Sequence, residues 1–144
     1  MKPNKISVIL SWTEVVLAMA VIFVLSAQKG DESQSLSDGF ITVLGLKFSS
    51  DFIRTCAHFL EYAGLSVLIY NALYRSFNSA KPVLSVIISS AYAVTDEIHQ
   101  IFVEGRACQI TDVIIDSVGA ASGIAVLTAL IFVYKKIRRR RKQV

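Results

Sequence analysis

Cysteine is scarce in this sequence of 144 residues, with Cys56 and Cys108 as its two copies. Two cysteines make no disulfide framework, and these two have no metal-ligand spacing. Charge is also thin, at 18% of residues, below the usual range for a soluble domain. No P-loop and no nucleophile elbow occurs, and Glu97-Ile98-His99 is not the two-histidine helix motif of metalloproteases. These absences remove the best-marked nucleotide and hydrolase chemistries. No internal repeat or low-complexity segment is visible apart from one basic run. What the chain does have is apolar residues, 53% of the total, with a mean hydropathy of +0.55. They gather in blocks, and a block of roughly 20 apolar residues crosses the hydrocarbon of a bilayer as a helix.

Four such blocks stand out, so the spacing predicts an all-α integral membrane bundle of about four transmembrane helices in one domain spanning 1–144. The first covers about 6–27. Lys2 and Lys5 precede it in the manner of a signal peptide, but the apolar stretch is long for that. Leu25 also occupies the −3 position before the only plausible cleavage point, after Ala27, so a retained helix is the reading. A polar connection follows. It contains a short apolar patch, Phe40 to Leu46, behind the capping candidate Ser37, which suits an interfacial segment. The second and third blocks cover about 52–73 and 82–103, and Pro82 suits a first helical turn. The fourth covers about 110–134, where Gly119 and Gly123 form a small-xxx-small pair suited to close helix packing.

The net charge of +4 comes mainly from Lys135 to Lys142, with seven basic residues and no acid. Such a run invites a nucleic-acid reading. Its position directly after an apolar block instead predicts a basic cytoplasmic tail, 135–144, lying against anionic lipid, with no nucleic-acid partner. Four spans put both termini on one side. That side holds Lys2, Lys5, Arg75, Lys81 and the basic run, eleven of the fifteen Lys and Arg. The positive-inside rule then predicts a multi-pass protein with both termini cytoplasmic.

The acids follow the opposite bias, ten of eleven lying in the outer loops or outer half-spans, with Glu14 the exception. At about 1.5 Å per residue, His58, Glu61, Asp96, Asp112 and Asp116 all fall roughly 5 to 14 Å below the outer ends of their helices. Arg54, His58 and Glu61 share one helical face. So do Asp112 and Asp116, and so do Asp96, His99 and Gln100. Charge inside a bilayer is costly unless paired or hydrated, so these stripes are expected to face one another around a pocket open to the outer surface. Five acids, Glu61, Asp96, Glu97, Asp112 and Asp116, meet two arginines and two histidines there. A purely structural role, pinning the helices by charge pairing, is the competing reading for any one of them.

The residues carrying this pattern also resemble a known family. The string His58-Phe59-Leu60-Glu61-Tyr62 is followed by Asp96-Glu97-Ile98-His99-Gln100-Ile101-Phe102, by Gly105-Arg106, and by Asp112 with Asp116-Ser117-Val118-Gly119-Ala120 and Gly123. With Trp12 and Ser26-Ala27-Gln28 before it, this resembles the VanZ-like family over nearly the whole chain. Two positions depart: Glu104 stands where the family often has proline, and Asp116 where asparagine is also common. The resemblance implies a small integral protein of the bacterial plasma membrane. The founding member is linked to resistance to the glycopeptide teicoplanin.

The leading expectation is a cell-envelope role, in which the outer pocket binds or processes a lipid-linked cell-wall intermediate or another amphiphile. Arg54 and Arg106 suit a phosphate or carboxylate, with Gln100, Asp116, Ser26 and Gln28 as further binding candidates. In an enzymatic version, His58 or His99 acts as general base with Glu61 or Asp96 orienting it or shuttling protons, and Glu97 and Asp112 complete the catalytic candidates. A divalent metal held by Glu61, Asp96, Asp112 and a histidine is the other chemical version. A non-catalytic binding or modulating protein for wall-synthesis partners, and a proton-coupled transporter, are the alternatives.

Overall fold

The structure is a computed structural model. It describes residues 4–28, 35, 38–39, 41–43 and 49–141. The interfacial patch expected from Phe40 to Leu46 lies largely outside the described residues.

The described chain is all-α and is organised around four long helices. α1 is Lys5–Ser26, α2 is Ser50–Phe77, α3 is Pro82–Gln100 and α4 is Ile110–Arg141. Their ends follow from local chemistry. The Asn4 side chain accepts the Ile6 N–H at 3.1 Å, and the Ser49 side chain accepts the Phe52 N–H at 3.3 Å, so each satisfies a donor that the first helical turn leaves open. α2 stops where Asn78 turns left-handed, at φ 50°, and Pro82 opens α3 in its first turn.

Three helices, α1, α2 and α4, are long and apolar enough to cross a membrane. α3 spans about 28 Å by helical rise and carries Asp96, Glu97, His99 and Gln100 among its last five residues. It ends at Gln100, three residues before the limit expected from the sequence. α2 runs past its expected end at Leu73. α4 continues through the basic run to Arg141, so Lys135 to Arg141 form a helical extension of the span.

α2 is the central helix and packs on the other three, most extensively on α4, while α1 packs chiefly on α2. The hydrophobic core is correspondingly narrow: Val15 and Ile22 of α1, Tyr62, Leu65, Ile69, Ala72 and Leu73 of α2, and Ala93 of α3. Large apolar side chains such as Ile9, Leu17, Val21, Leu60, Ile87, Val126 and Phe132 point outward and are exposed. A water-soluble domain does not leave so many large apolar side chains uncovered on every helix, whereas lipid solvates them.

Two glycines set the closest approach. A Cβ on Gly119 would lie 2.4 Å from the Phe59 carbonyl oxygen, and one on Gly123 would lie 2.4 Å from the Ala63 carbonyl oxygen. The small-xxx-small pair of α4 therefore seats the backbone of α2 directly, as internal packing. Ser66 fastens the same seam, its hydroxyl reaching the Ala120 carbonyl at 2.9 Å. At one end of the bundle the Trp12 indole N–H donates to Ser76 Oγ at 3.0 Å, and Arg75 donates to Ser7. The basic residues of α4 extend at this same end. The opposite, polar end gathers the end of α1, the start of α2, the end of α3 and the start of α4.

Candidate functional site

At the polar end, α3 turns its charged face inward. Asp96, Glu97 and Gln100 are all buried, and so is Asp116 across from them on α4. The apolar residues of the same α3 segment, Val94 and Ile98, face outward. That inversion is what a helix does when its surroundings are hydrocarbon and its partners carry the polar groups.

His58 of α2 meets α4 here, with its Nδ1 3.5 Å from Asp116 Oδ1. The sequence offered Glu61 or Asp96 to orient His58 or His99 or to shuttle protons; beside His58 the structure brings Asp116 as well. Glu61 still interacts electrostatically with His58, Asp116 and Asp96. Asp96 interacts in turn with His58, Asp116 and His99. The His99 ring lies against Phe23 of α1, centroids 4.2 Å apart, and is half-buried.

Three contacts frame this layer. Gln100 Nε2 donates to Ser26 Oγ at 3.0 Å, joining α3 to the end of α1. Glu97 Oε2 accepts the Gln109 N–H at 2.9 Å, which places a carboxylate at the N-terminus of α4 where the helix dipole favours it. Arg106 Nε donates to the Gln28 carbonyl at 3.2 Å, so Gln28 takes part through its backbone. Gly105, at φ 75°, makes the turn that presents Arg106, a conformation that a Cβ disfavours.

Arg106 belongs to the loop outside the helices. Burial pulls its guanidinium below the ordinary value, and nearby Arg54 adds to the drop, while Glu97, Asp96 and Asp112 act against it. Arg54 itself lies nearer the rim, 3.6 Å from the exposed Asp51. Asp112 is half-buried and interacts with Glu97 and Asp116.

Several buried atoms of this layer meet no hydrogen-bond partner among the described residues. They are both oxygens of Asp96, both oxygens of Asp116, Glu97 Oε1, His58 Nδ1, His99 Nδ1 and the Tyr62 hydroxyl. Buried polar groups are normally paired, so such a concentration in one place marks a site. Among the described residues, no three His, Cys, Asp or Glu side chains are grouped as a metal ion would require.

The model of the family described as VanZ/LLP1 matches residues 12–133. The chain belongs to the VanZ/LLP1 family. No curated protein and no solved structure matches it. The span of the VanZ/LLP1 match contains every candidate site residue from Ser26 to Asp116.

In the sequence of this VanZ/LLP1 chain no site role fell to Tyr62, although it stands in the motif string, or to the serines beneath it. Tyr62 is fully buried and interacts electrostatically with Asp96, Asp116 and Glu61. Its ring pairs with that of Tyr92 at 6.3 Å, and the Tyr92 hydroxyl donates to the Met19 carbonyl at 2.6 Å. On α3 the buried face continues from Asp96 through Ala93 to Ser89 and Ser85, and the Ser89 hydroxyl has no partner among the described residues. The signal was present as polar residues at helical spacing, Ser85, Ser89, Asp96 and Gln100, within a segment that looks apolar because its other faces are.

Proposed function

We propose that this VanZ/LLP1 protein is a multi-pass protein of the bacterial plasma membrane with both termini in the cytoplasm. Its polar end then lies at the outer leaflet, where it binds or processes a lipid-linked or amphiphilic substrate of the cell envelope. The charge bias supports the orientation, since nine of the eleven described Lys and Arg belong to the end opposite the carboxylate cluster. On this reading the helical basic run, Lys135 to Arg141, lies against anionic lipid of the inner leaflet.

One observation carries the site: the buried carboxylates of Asp96 and Asp116, whose oxygens meet no hydrogen-bond partner among the described residues, beside His58 at 3.5 Å from Asp116. Ionisable groups inside a membrane protein are costly and are retained for function. A histidine beside a carboxylate is suited to moving a proton, and Arg54 and Arg106 are suited to a phosphate or carboxylate at the rim. An apolar groove of about 430 Å³ at the level of the same turns, lined by Thr55, Cys56, Phe59, Leu60 and Val118 among others, suits the hydrocarbon part of an amphiphile. Membership of the family makes tolerance to teicoplanin the phenotype to score.

The test replaces His58 by Ala, Glu61 by Gln, Asp96 by Asn and Asp112 by Asn, one at a time. Envelope lipids are read by mass spectrometry beside cells that lack the protein. A lipid-linked species that depends on the protein and is lost in one or more variants is the expected result. Function retained in all four overturns the catalytic reading. Tolerance that tracks the protein while no lipid changes turns the reading to binding without chemistry.

Proton-coupled transport is a second reading that draws on one observation. The buried face of α3 stays polar through Ser89 and Ser85, toward the end where Glu14, Ser7, Ser11 and Arg75 line a common cleft. Transport predicts a proton flux in proteoliposomes that Glu14→Gln abolishes, and flux unchanged by that substitution rejects it.

A further inference from the structure

The candidate site holds acid in surplus. Glu61, Asp96, Glu97, Asp112 and Asp116 gather there, against Arg106, the imidazoles of His58 and His99, and an Arg54 already shared with Asp51. Surplus acid alone says little, because buried carboxylates can be neutralised by protons. The second observation is the Tyr62 hydroxyl. It is fully buried, has no partner among the described residues, and interacts electrostatically with Asp96, Asp116 and Glu61. Both oxygens of Asp96, both of Asp116 and one of Glu97 lie outside hydrogen-bond geometry, with the His58 imidazole 3.5 Å from Asp116. The layer thus sets five carboxylate oxygens outside hydrogen-bond geometry against three protein groups able to donate, the Tyr62 phenol and the imidazoles of His58 and His99.

The charges are also stratified. Asp116 lies six residues into α4, about 9 Å from its start, and Asp96 lies before the last turn of α3. Arg106 sits in the loop that joins these two helices, nearer the polar end. A ligand seated here meets a guanidinium first and carboxylates with a phenol beneath. A phosphate, which is an acceptor, pairs with the guanidinium and is repelled by the lower layer. An ammonium bearing N–H groups has three donors and a positive charge for the lower layer. A quaternary ammonium brings the charge without the donors, and a metal ion lacks a three-ligand group among the described residues.

We propose that the layer of Asp96, Asp116 and Tyr62 receives a primary ammonium and that Arg106 receives an adjoining phosphate, so the ligand is a zwitterionic amphiphile with an amine beside its phosphate. This rests on the reading that the polar end binds an amphiphile, and it names the head group.

The experiment compares lipids of identical chains and different heads on the purified full-length protein in detergent, read by native mass spectrometry. The probes are phosphatidylethanolamine, its N-acetyl form, phosphatidylcholine and phosphatidylglycerol, with soluble glycerophosphoethanolamine as a competitor. Phosphatidylethanolamine binds about tenfold or more tightly than the other three, as expected for losing hydrogen bonds to a buried charged group. Asp96→Asn and Asp116→Asn shrink that preference, and Arg106→Gln weakens phosphatidylethanolamine and phosphatidylglycerol alike. The soluble head group competes weakly; competition at equal concentration keeps the ammonium site and overturns the lipid source. Equal binding of the four lipids to the wild type overturns the ammonium assignment and leaves amphiphile binding standing. Failure of all four to bind, with the helical content of the protein intact, removes both. The wild-type comparison needs no variant, so a misfolded variant does not decide the outcome.

Discussion

Gly119→Ala and Gly123→Ala each destabilise the purified protein by about 1 to 3 kcal/mol, the usual cost of overpacking. The new methyl group at either site meets backbone, the carbonyl of Phe59 or of Ala63, at 2.4 Å. A side chain in the way can rotate, but a carbonyl on a packed helix cannot. α4 therefore has to move off α2, and the Ser66 hydroxyl loses its 2.9 Å contact with the Ala120 carbonyl as it does. Larger residues at these positions separate the two helices and dismantle the His58–Asp116 approach.

The control is Gly64→Ala on α2, where an added Cβ meets nothing within 4 Å. That variant keeps or slightly gains stability, because alanine favours helix over glycine by about 1 kcal/mol. The measurement is unfolding in mixed micelles followed by Trp12 fluorescence. Gly119 and Gly123 lie one turn apart on one seam, so a shift that admits the first methyl partly admits the second. The double variant then costs less than the sum of the singles. If Gly119→Ala behaves like Gly64→Ala, α4 does not bear on α2 as closely as the structure places it.

These two glycines show how legible the fold was. Their spacing identified a packing face, and hydropathy located the helices, because both are one-dimensional signals written at helical period. The partner of that face was not written. Nothing in the sequence says that Gly119 meets Phe59, since helix pairing depends on rotation about each axis. The same holds in the site. Matching depths brought His58, Asp96 and Asp116 to one level, but depth is blind to azimuth, so it did not show that Asp116 is the carboxylate that approaches His58. Asp116 takes that place because α4 is drawn against α2 by the glycine seam one turn below it. Tyr62 stood in the motif string but drew no role, because a tyrosine among apolar residues carries no charge to mark it. It is core, yet its hydroxyl ends among the carboxylates. Gln28 contributes a backbone carbonyl, which no reading of side chains would find.

On the proposed reading, Asp96→Asn is expected to raise the stability of the protein by about 1 to 2 kcal/mol while abolishing its function, because it removes a costly buried charge held there for the site. Neither oxygen of Asp96 has a hydrogen-bond partner among the described residues, and asparagine keeps the shape. Asp116→Asn also impairs function but gains less stability, since Asp116 has the imidazole of His58 at 3.5 Å to offset part of its cost. Glu97 runs the other way. Its Oε2 accepts the Gln109 N–H at 2.9 Å, so Glu97→Ala leaves a donor unmet at the start of α4 and loses about 1 to 2 kcal/mol. Three neighbouring acids are thus expected to give three different signatures in the same micelle unfolding assay, each paired with the envelope-lipid readout. A structural role for Asp96 predicts a loss of stability with asparagine and function that falls only as far as the folded population does. A rise in stability together with lost function identifies a carboxylate held in the membrane at a cost for what it does there.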